Sequence, residues 1–229
     1  MIEELTHTNP LSTLIPPNAE VNAQLSTLPV MEAFYTLQGE GFHQGKAAYF
    51  IRLGGCDVGC FWCDVKESWD ASAHQQKTID DIIKEALSTV NCQLSTENIC
   101  VITGGEPLLH NLNELTQSLQ QNNFKTHIET SGSSPLSGSW NWICLSPKKF
   151  KQPLPGIYSV ADELKIIIYN TSDFKWAEKN ASLVSPKCKL YLQPEWSKSA
   201  VITPLIIDYI KANPQWQLSL QIHKYVNIP

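Results

Sequence analysis

The chain carries little charge and no basic excess. Charged residues make up 17% of its 229 positions, and the formal net charge is -5. A non-specific nucleic-acid binder needs a basic field, so this balance argues against direct nucleic-acid binding. It leaves room for a small charged substrate held by a few basic side chains. No apolar run approaches the length of a membrane span. The acidic opening MIEELTHTNP lacks the basic start and apolar core of a secretion signal. Seven cysteines is an odd number, and most sit singly, so there is no sign of a secreted disulfide framework. These absences predict a cytoplasmic protein with no membrane partner, in a reducing compartment where thiols stay free. No internal repeat is visible.

What is present fits one large α/β domain with enough length to bury a core. Residues 1–29 are rich in Pro, Asn, Thr and Ser and are expected to form a loosely ordered leader; residues 30–229 form the domain. AAYFIRL (Ala47–Leu53) reads as a buried strand. TIDDIIKEALSTV follows with helical spacing of Ile79, Ile82, Ile83, Ala86, Leu87 and Val90, capped by Thr78. NICVIT is a strand, and NLNELTQSLQ a helix with Asn111 and Glu114 as a capping pair. KTHIETS, WICLSP, DELKIII and KLYLQP read as strands, and TSDFKWAEKNA as a short helix. AVITPLIIDYIKAN reads as a helix with Pro204 in its first turn, and WQLSLQIH as a last strand closed by His223.

Strands and helices alternate about six times, which predicts a mostly parallel sheet with right-handed crossovers. A closed eight-unit barrel needs about 250 residues, so the expected architecture is an α/β partial (β/α)6 TIM-like barrel. Ligands of such folds bind at the carboxyl ends of the strands, and the unusual residues here follow the strands.

The most informative stretch is GGCDVGCFWCD (Gly54–Asp64), which groups Cys56, Cys60 and Cys63 in one loop. Cys92, Cys100, Cys144 and Cys188 lie apart; the two within strand patterns, Cys100 and Cys144, read as small buried hydrophobes. A structural zinc site would need a fourth ligand, from Asp64, His43 or His74, without a paired-knuckle pattern. A disulfide would leave one cysteine idle. A four-iron cluster on three thiolates accounts for the odd number best, because one iron stays open. Gly54, Gly55 and Gly59 permit the turns, and Phe61 and Trp62 would shield the cluster.

CDVGCFWC resembles the three-cysteine motif of the radical S-adenosylmethionine enzymes, and TGGEP (Thr103–Pro107) resembles their glycine-rich segment. The resemblance implies a radical SAM core. A 4Fe-4S cluster would sit on Cys56, Cys60 and Cys63, and S-adenosyl-L-methionine on its open iron. FYTLQGEG, FIRLGGC, CFWCD, VITGGEP, IETSG, SPK, LQP and WQLSLQIHKYVNIP together resemble one family, the 7-carboxy-7-deazaguanine synthases, over roughly residues 30–229.

That resemblance implies a lyase of queuosine biosynthesis. It would take the C6 hydrogen from 6-carboxy-5,6,7,8-tetrahydropterin, contract the ring with loss of ammonia and regenerate its cofactor, assisted by Mg2+. Implied substrate contacts are Leu37, Gln38, Gly39, Glu40, Arg52, Glu129, His223 and the terminal Pro229. Implied cofactor contacts are Thr103, Gly104, Gly105, Glu106, Ser131, Ser146, Lys148 and Gln193, and Lys165 is a further pocket candidate. Arg52 suits a carboxylate by its fork, and Glu106 offers an anion. After CFWCD the family places a threonine whose hydroxyl helps hold magnesium; here Val65 offers no oxygen, and Asp64 is the nearby substitute. A homodimer and a flavodoxin-type electron donor are implied partners. A glycyl-radical activase would share the cysteine and glycine motifs but would not need LQGEG or HKYVNIP.

Overall fold

The computed structural model describes residues 26–90 and 98–229. Most of the expected leader, and Cys92, lie outside the described residues. The chain is already in a strand before residue 30. The strand β1 (Thr27–Leu37) pairs antiparallel with β2 (Ala47–Leu53), and β3 (Gln75–Thr78) pairs antiparallel with the start of β1. Leu28 is 4% exposed, so the apolar packing begins inside the stretch expected to be loose.

Helix α1 (Ile79–Val90) starts where Thr78 Oγ1 accepts from the Asp81 N–H at 3.2 Å, the cap anticipated from sequence. Then come β4 (Asn98–Gly104), α2 (Asn113–Gln121), β5 (Phe124–Thr130) and β6 (Trp142–Leu145). They are followed by α3 (Pro155–Tyr158), β7 (Glu163–Ile168), α4 (Asp173–Ala181), β8 (Lys189–Pro194), α5 (Ser199–Ala212), β9 (Trp216–Leu218) and α6 (Ile222–Val226).

The strands form one sheet in the order β3-β1-β2-β4-β5-β6-β7-β8-β9. Every pairing from β2 to β9 is parallel. The sheet has two edges, as a partial barrel requires. One strand face carries Tyr49, Ile51, Leu53, Cys100 and Ile102 into a core shared with the helices, through Ile82, Leu115, Ala177 and Ile206. The other face holds Ala48, Phe50 and Val101 against Phe34 and Ile99. This alternation sends the residues between the core positions, such as Arg52 and Thr103, toward the cavity. Cys100 and Cys144 are buried, as their strand patterns imply. Among the described residues, no helix is long and apolar enough to cross a membrane.

Three local expectations are corrected. Asn111 and Glu114 do not form a capping pair: Asn111 Oδ1 accepts from the Asn113 N–H at 3.0 Å, an Asx turn that delays the helix start to Asn113. Pro204 lies inside α5, beyond its first turn, because the helix begins at Ser199. In keeping with the sequence reading, no helix joins β5 to β6. The Ser- and Gly-rich residues 131–141 have no apolar period, and side chains satisfy the backbone there; Asn113 Oδ1 accepts from the Gly138 N–H at 2.7 Å. Finally, WQLSLQIH is not one strand. β9 ends at Leu218, and the Ile222 N–H bonds Gly39 O at 3.0 Å, drawing the chain off the sheet. His223 therefore sits on the short helix α6.

Candidate active site at the carboxyl ends of the strands

A cavity of about 260 Å³ opens where the parallel strands end. Its wall is assembled from segments distant in sequence. The β1–β2 loop brings Leu37, Gln38, Gly39 and Glu40, and β2 brings Arg52. The cysteine loop contributes Cys56, Cys60, Cys63, Asp64 and Val65. The end of β4 supplies Thr103, Gly104, Gly105 and Glu106; the end of β5 supplies Glu129 and Ser131. Ser146 and Lys148 follow β6, Lys165 stands on β7, Gln193 on β8, and His223 and Pro229 come from the last segment. All the residues expected at the site thus line one cavity.

Two backbone loops interlock at its base. Gly105 N donates to Leu53 O at 2.9 Å, and Glu106 N to Gly55 O at 2.8 Å. A Cβ on Gly105 would lie 2.2 Å from Gly55 O, so only glycine allows the two motifs to meet. Gly104 also takes a positive φ of 135°. The opposite rim closes in the same way: a Cβ on Gly39 would lie 2.1 Å from His223 Nδ1.

The role foreseen for the Glu106 side chain is corrected. Its carboxylate is 1% exposed and already filled by protein donors. Leu108 N donates at 3.1 Å and Ser131 N at 2.8 Å, with the Thr130 and Ser131 hydroxyls beside them. Glu106 braces the β4 and β5 ends and offers no free anion to a ligand.

A charged network forms the floor. Lys165 Nζ donates to Glu40 Oε2, and to Glu129 Oε2 at 3.1 Å. Burial alone would raise the Glu40 pKa; the Lys165 charge and hydrogen bond outweigh it and hold the carboxyl down to about 2. Gln221 Nε2 donates to Glu40 Oε1 at 2.9 Å and reaches Asp64 Oδ2 at 3.4 Å. Asp64 pairs with Lys224 Nζ at 2.6 Å. Burial pushes the Asp64 carboxyl up, but the Lys224 contact pulls it below the usual range. Arg52, the only arginine of the chain, places Nε 2.9 Å from Glu32 Oε1, at the edge of the cavity. Lys148 is half-buried beside Trp62 and Ser146, and desolvation lowers its pKa.

Gln221 and Lys224 were not foreseen, because the segment that carries them reads as strand followed by tail. Trp69 and Trp196, which also line the cavity, carry no sequence signal beyond being aromatic.

The cysteine donors suit an iron–sulfur cluster. Burial raises Cys60 to about 11, with Lys148 opposing and Cys63 and Cys56 adding to the rise. Burial likewise raises Cys56, and Cys63 contributes. Desolvated thiols that disfavour one another's ionisation are what a cationic iron assembly would stabilise as thiolates. Among the described residues, no group of three His, Cys, Asp or Glu side chains is placed to hold a single metal ion.

Residues 50–174 match the model of the radical SAM superfamily, a span that runs from within β2 through the cysteine loop into α4. The chain belongs to that superfamily. It is 54% identical over 202 residues to a 7-carboxy-7-deazaguanine synthase of Flavobacterium psychrophilum, covering 88% of this chain and 93% of that one. A protein of the same name from Synechocystis is 46% identical, covering 87% and 93%. The crystal structure of QueE from Escherichia coli superimposes with a TM-score of 0.74 at 30% identity, over 85% of this chain and 93% of that one. The chain is accordingly a member of the 7-carboxy-7-deazaguanine synthase family, and an enzyme.

Proposed function

We propose that this enzyme converts 6-carboxy-5,6,7,8-tetrahydropterin to 7-carboxy-7-deazaguanine with loss of ammonia, as a lyase of queuosine biosynthesis. The observation that carries the reading is the joining of the three-cysteine loop, the TGGEP turn and an amide- and carboxylate-lined floor in one cavity. The relatives' shared name supports the same product.

In this reading Cys56, Cys60 and Cys63 hold a 4Fe-4S cluster. Thr103, the backbone of Gly104 and Gly105, Ser131, Ser146, Lys148 and Gln193 hold S-adenosyl-L-methionine beside it. When bound, the pair would supply the radical chemistry needed to remove the C6 hydrogen, with S-adenosyl-L-methionine regenerated. The protein's part is placement. Glu40 and Glu129 accept from the N–H groups of the pterin ring edge and the Gln38 amide lies beside them, while Arg52 faces its carboxylate and His223 with Pro229 closes the rim. Glu106 keeps the two loops in register. Magnesium plays at most a weak part, in the neighbourhood of Asp64, whose carboxylate Lys224 already matches. The chain from β1 onward works as one domain, as a homodimer in the cytoplasm, with a flavodoxin-type protein as electron donor and no direct nucleic-acid contact.

The test is anaerobic incubation of reconstituted protein with reductant, S-adenosyl-L-methionine and the carboxytetrahydropterin. Deazaguanine product is expected. Iron-loaded protein that turns over the cofactor yet yields no deazaguanine would defeat the substrate assignment. A colourless protein with one tightly held zinc would defeat the radical chemistry.

A further inference from the structure

Lys165 lies in β7 (ELKIII), followed by three isoleucines, and its side chain is only 4% exposed. A buried lysine is costly unless it is paired. Here it is paired twice, with carboxylates delivered by two separate elements. Glu40 comes from the β1–β2 loop, 125 positions away, and Glu129 from the end of β5, 36 positions away. Each acid also binds a neutral amide through its other oxygen: Gln221 Nε2 to Glu40 Oε1 at 2.9 Å, and Gln38 Nε2 to Glu129 Oε1 at 2.9 Å. Gln38 returns to the same loop by accepting from the Glu40 N–H at 3.0 Å.

The acids are not sealed by this network. Glu40 keeps 14% and Glu129 keeps 23% of its side chain exposed, and both line the cavity. A lysine that served only to neutralise core acids would leave them no open face. Other charges bear on the group as well. Glu163, whose carboxylate accepts from Phe42 N at 3.2 Å and Trp142 Nε1 at 3.1 Å, adds negative potential at Lys165. Lys148 adds a second, more distant cation, and His223 stands on the Glu40 side. Without the Lys165 ammonium, two desolvated carboxylates would repel each other, and one would take up a proton. A protonated acid presents a donor where an acceptor is required.

We propose that Lys165 is a positioning residue which holds Glu40 and Glu129 ionised and at fixed spacing, so that together they accept from adjacent N–H donors of a pterin edge. The assignment rests on the substrate reading above. Lys165 itself faces the acids and takes no part in breaking or forming bonds.

The test is binding of 6-carboxypterin, followed by its fluorescence, to the full-length cluster-loaded protein between pH 5.5 and 8.5. The unaltered protein is expected to bind with a nearly flat profile. Lys165→Met should weaken binding about tenfold to a hundredfold near neutrality, with affinity recovering as pH rises and the bare carboxyl ionises. Lys165→Arg, which keeps the cation, should keep the flat profile. Should Lys165→Met not fold, the double variant Lys165→Met/Glu129→Gln removes the unpaired repulsion and carries the test: weakened binding is expected, because one acceptor is gone. A folded Lys165→Met protein with unchanged affinity and a flat profile overturns the proposal, as does a double variant that binds like the unaltered protein. Failure of the unaltered protein to bind is seen first, in the control, and overturns the substrate reading instead.

Discussion

The carboxylate of Glu106 accepts from the backbone N–H of Ser131 at 2.8 Å and so ties the turn after β4 to the turn after β5. The same carboxylate takes the Leu108 N–H at 3.1 Å. A buried acceptor shared among several donors cannot be exchanged for an amide, which would aim its own N–H at other donors. Glu106→Gln is therefore expected to destabilise the protein by about 2–4 kcal/mol, lowering the urea midpoint with little change in slope. An unmoved midpoint would show that the brace contributes nothing.

The sequence reads best where chemistry is local. The cysteine loop, the glycine turn and the apolar strands each carry their signal within a few residues, and the structure sets them where that signal implies. The Glu40–Lys165–Glu129 floor joins segments far apart in the chain, so no local spacing announces it, although a lysine set before three isoleucines marks one member. α6 was misread because LSLQI alternates like a strand. The hydrogen bond from Ile222 to Gly39, a tertiary contact, is what overrides that pattern. The brace role of Glu106 was hidden for the same reason: its donors Thr130 and Ser131 belong to another strand end.

The loop that holds the cysteines depends on glycine as much as on sulfur. Because a Cβ on Gly105 would lie 2.2 Å from Gly55 O and 2.9 Å from Cys56 Cβ, Gly105→Ala must displace the cysteine loop. Anaerobically reconstituted Gly105→Ala is expected to retain far less iron and sulfide than the unaltered protein. Cys60→Ser serves as the reference for complete loss, with cluster absorbance and activity disappearing together. Full iron content in Gly105→Ala would show that the two loops can separate without harm to the site.

His43 and His127 predict an acid sensitivity that lies outside the cavity. Their rings are 4.5 Å apart, packed with Trp142, and both nitrogens of His43 are buried without a hydrogen-bond partner. Burial, with Lys46 adding, lowers His43 to about 4. Burial, with His43 and Lys46 adding, lowers His127 to about 3. The folded pKa lies below the unfolded value of about 6.5, so the unfolded chain binds more protons. This stability is present above about pH 6.5 and is lost as pH falls toward 4 and then 3, at up to about 1.4 kcal/mol per pH unit for each histidine. Glu40 adds its own loss only below about 4.5. Urea midpoints between pH 6.5 and 5 should fall, and His127→Leu should flatten that slope. A midpoint constant over this range in the unaltered protein would contradict the depressed values.

Asp64 and Lys224 bear on the magnesium question raised by Val65. The side chain after Asp64 has no oxygen to give, and the Asp64 carboxylate is already matched by Lys224 Nζ at 2.6 Å. A divalent cation arriving there would have to displace an ammonium that the protein supplies. Turnover of the reconstituted enzyme should therefore change little when magnesium is replaced by a chelator. Lys224→Met should make turnover more responsive to magnesium by freeing the carboxylate. It should cost less than about 1 kcal/mol of stability, because Asp64 is 49% exposed and such pairs are weak. Strong magnesium dependence in the unaltered protein would mean that the cation takes oxygens other than Asp64, or that Lys224 leaves when substrate enters. Comparing the magnesium response of Asp64→Asn with that of the unaltered protein separates these, since only the second makes the response depend on Asp64.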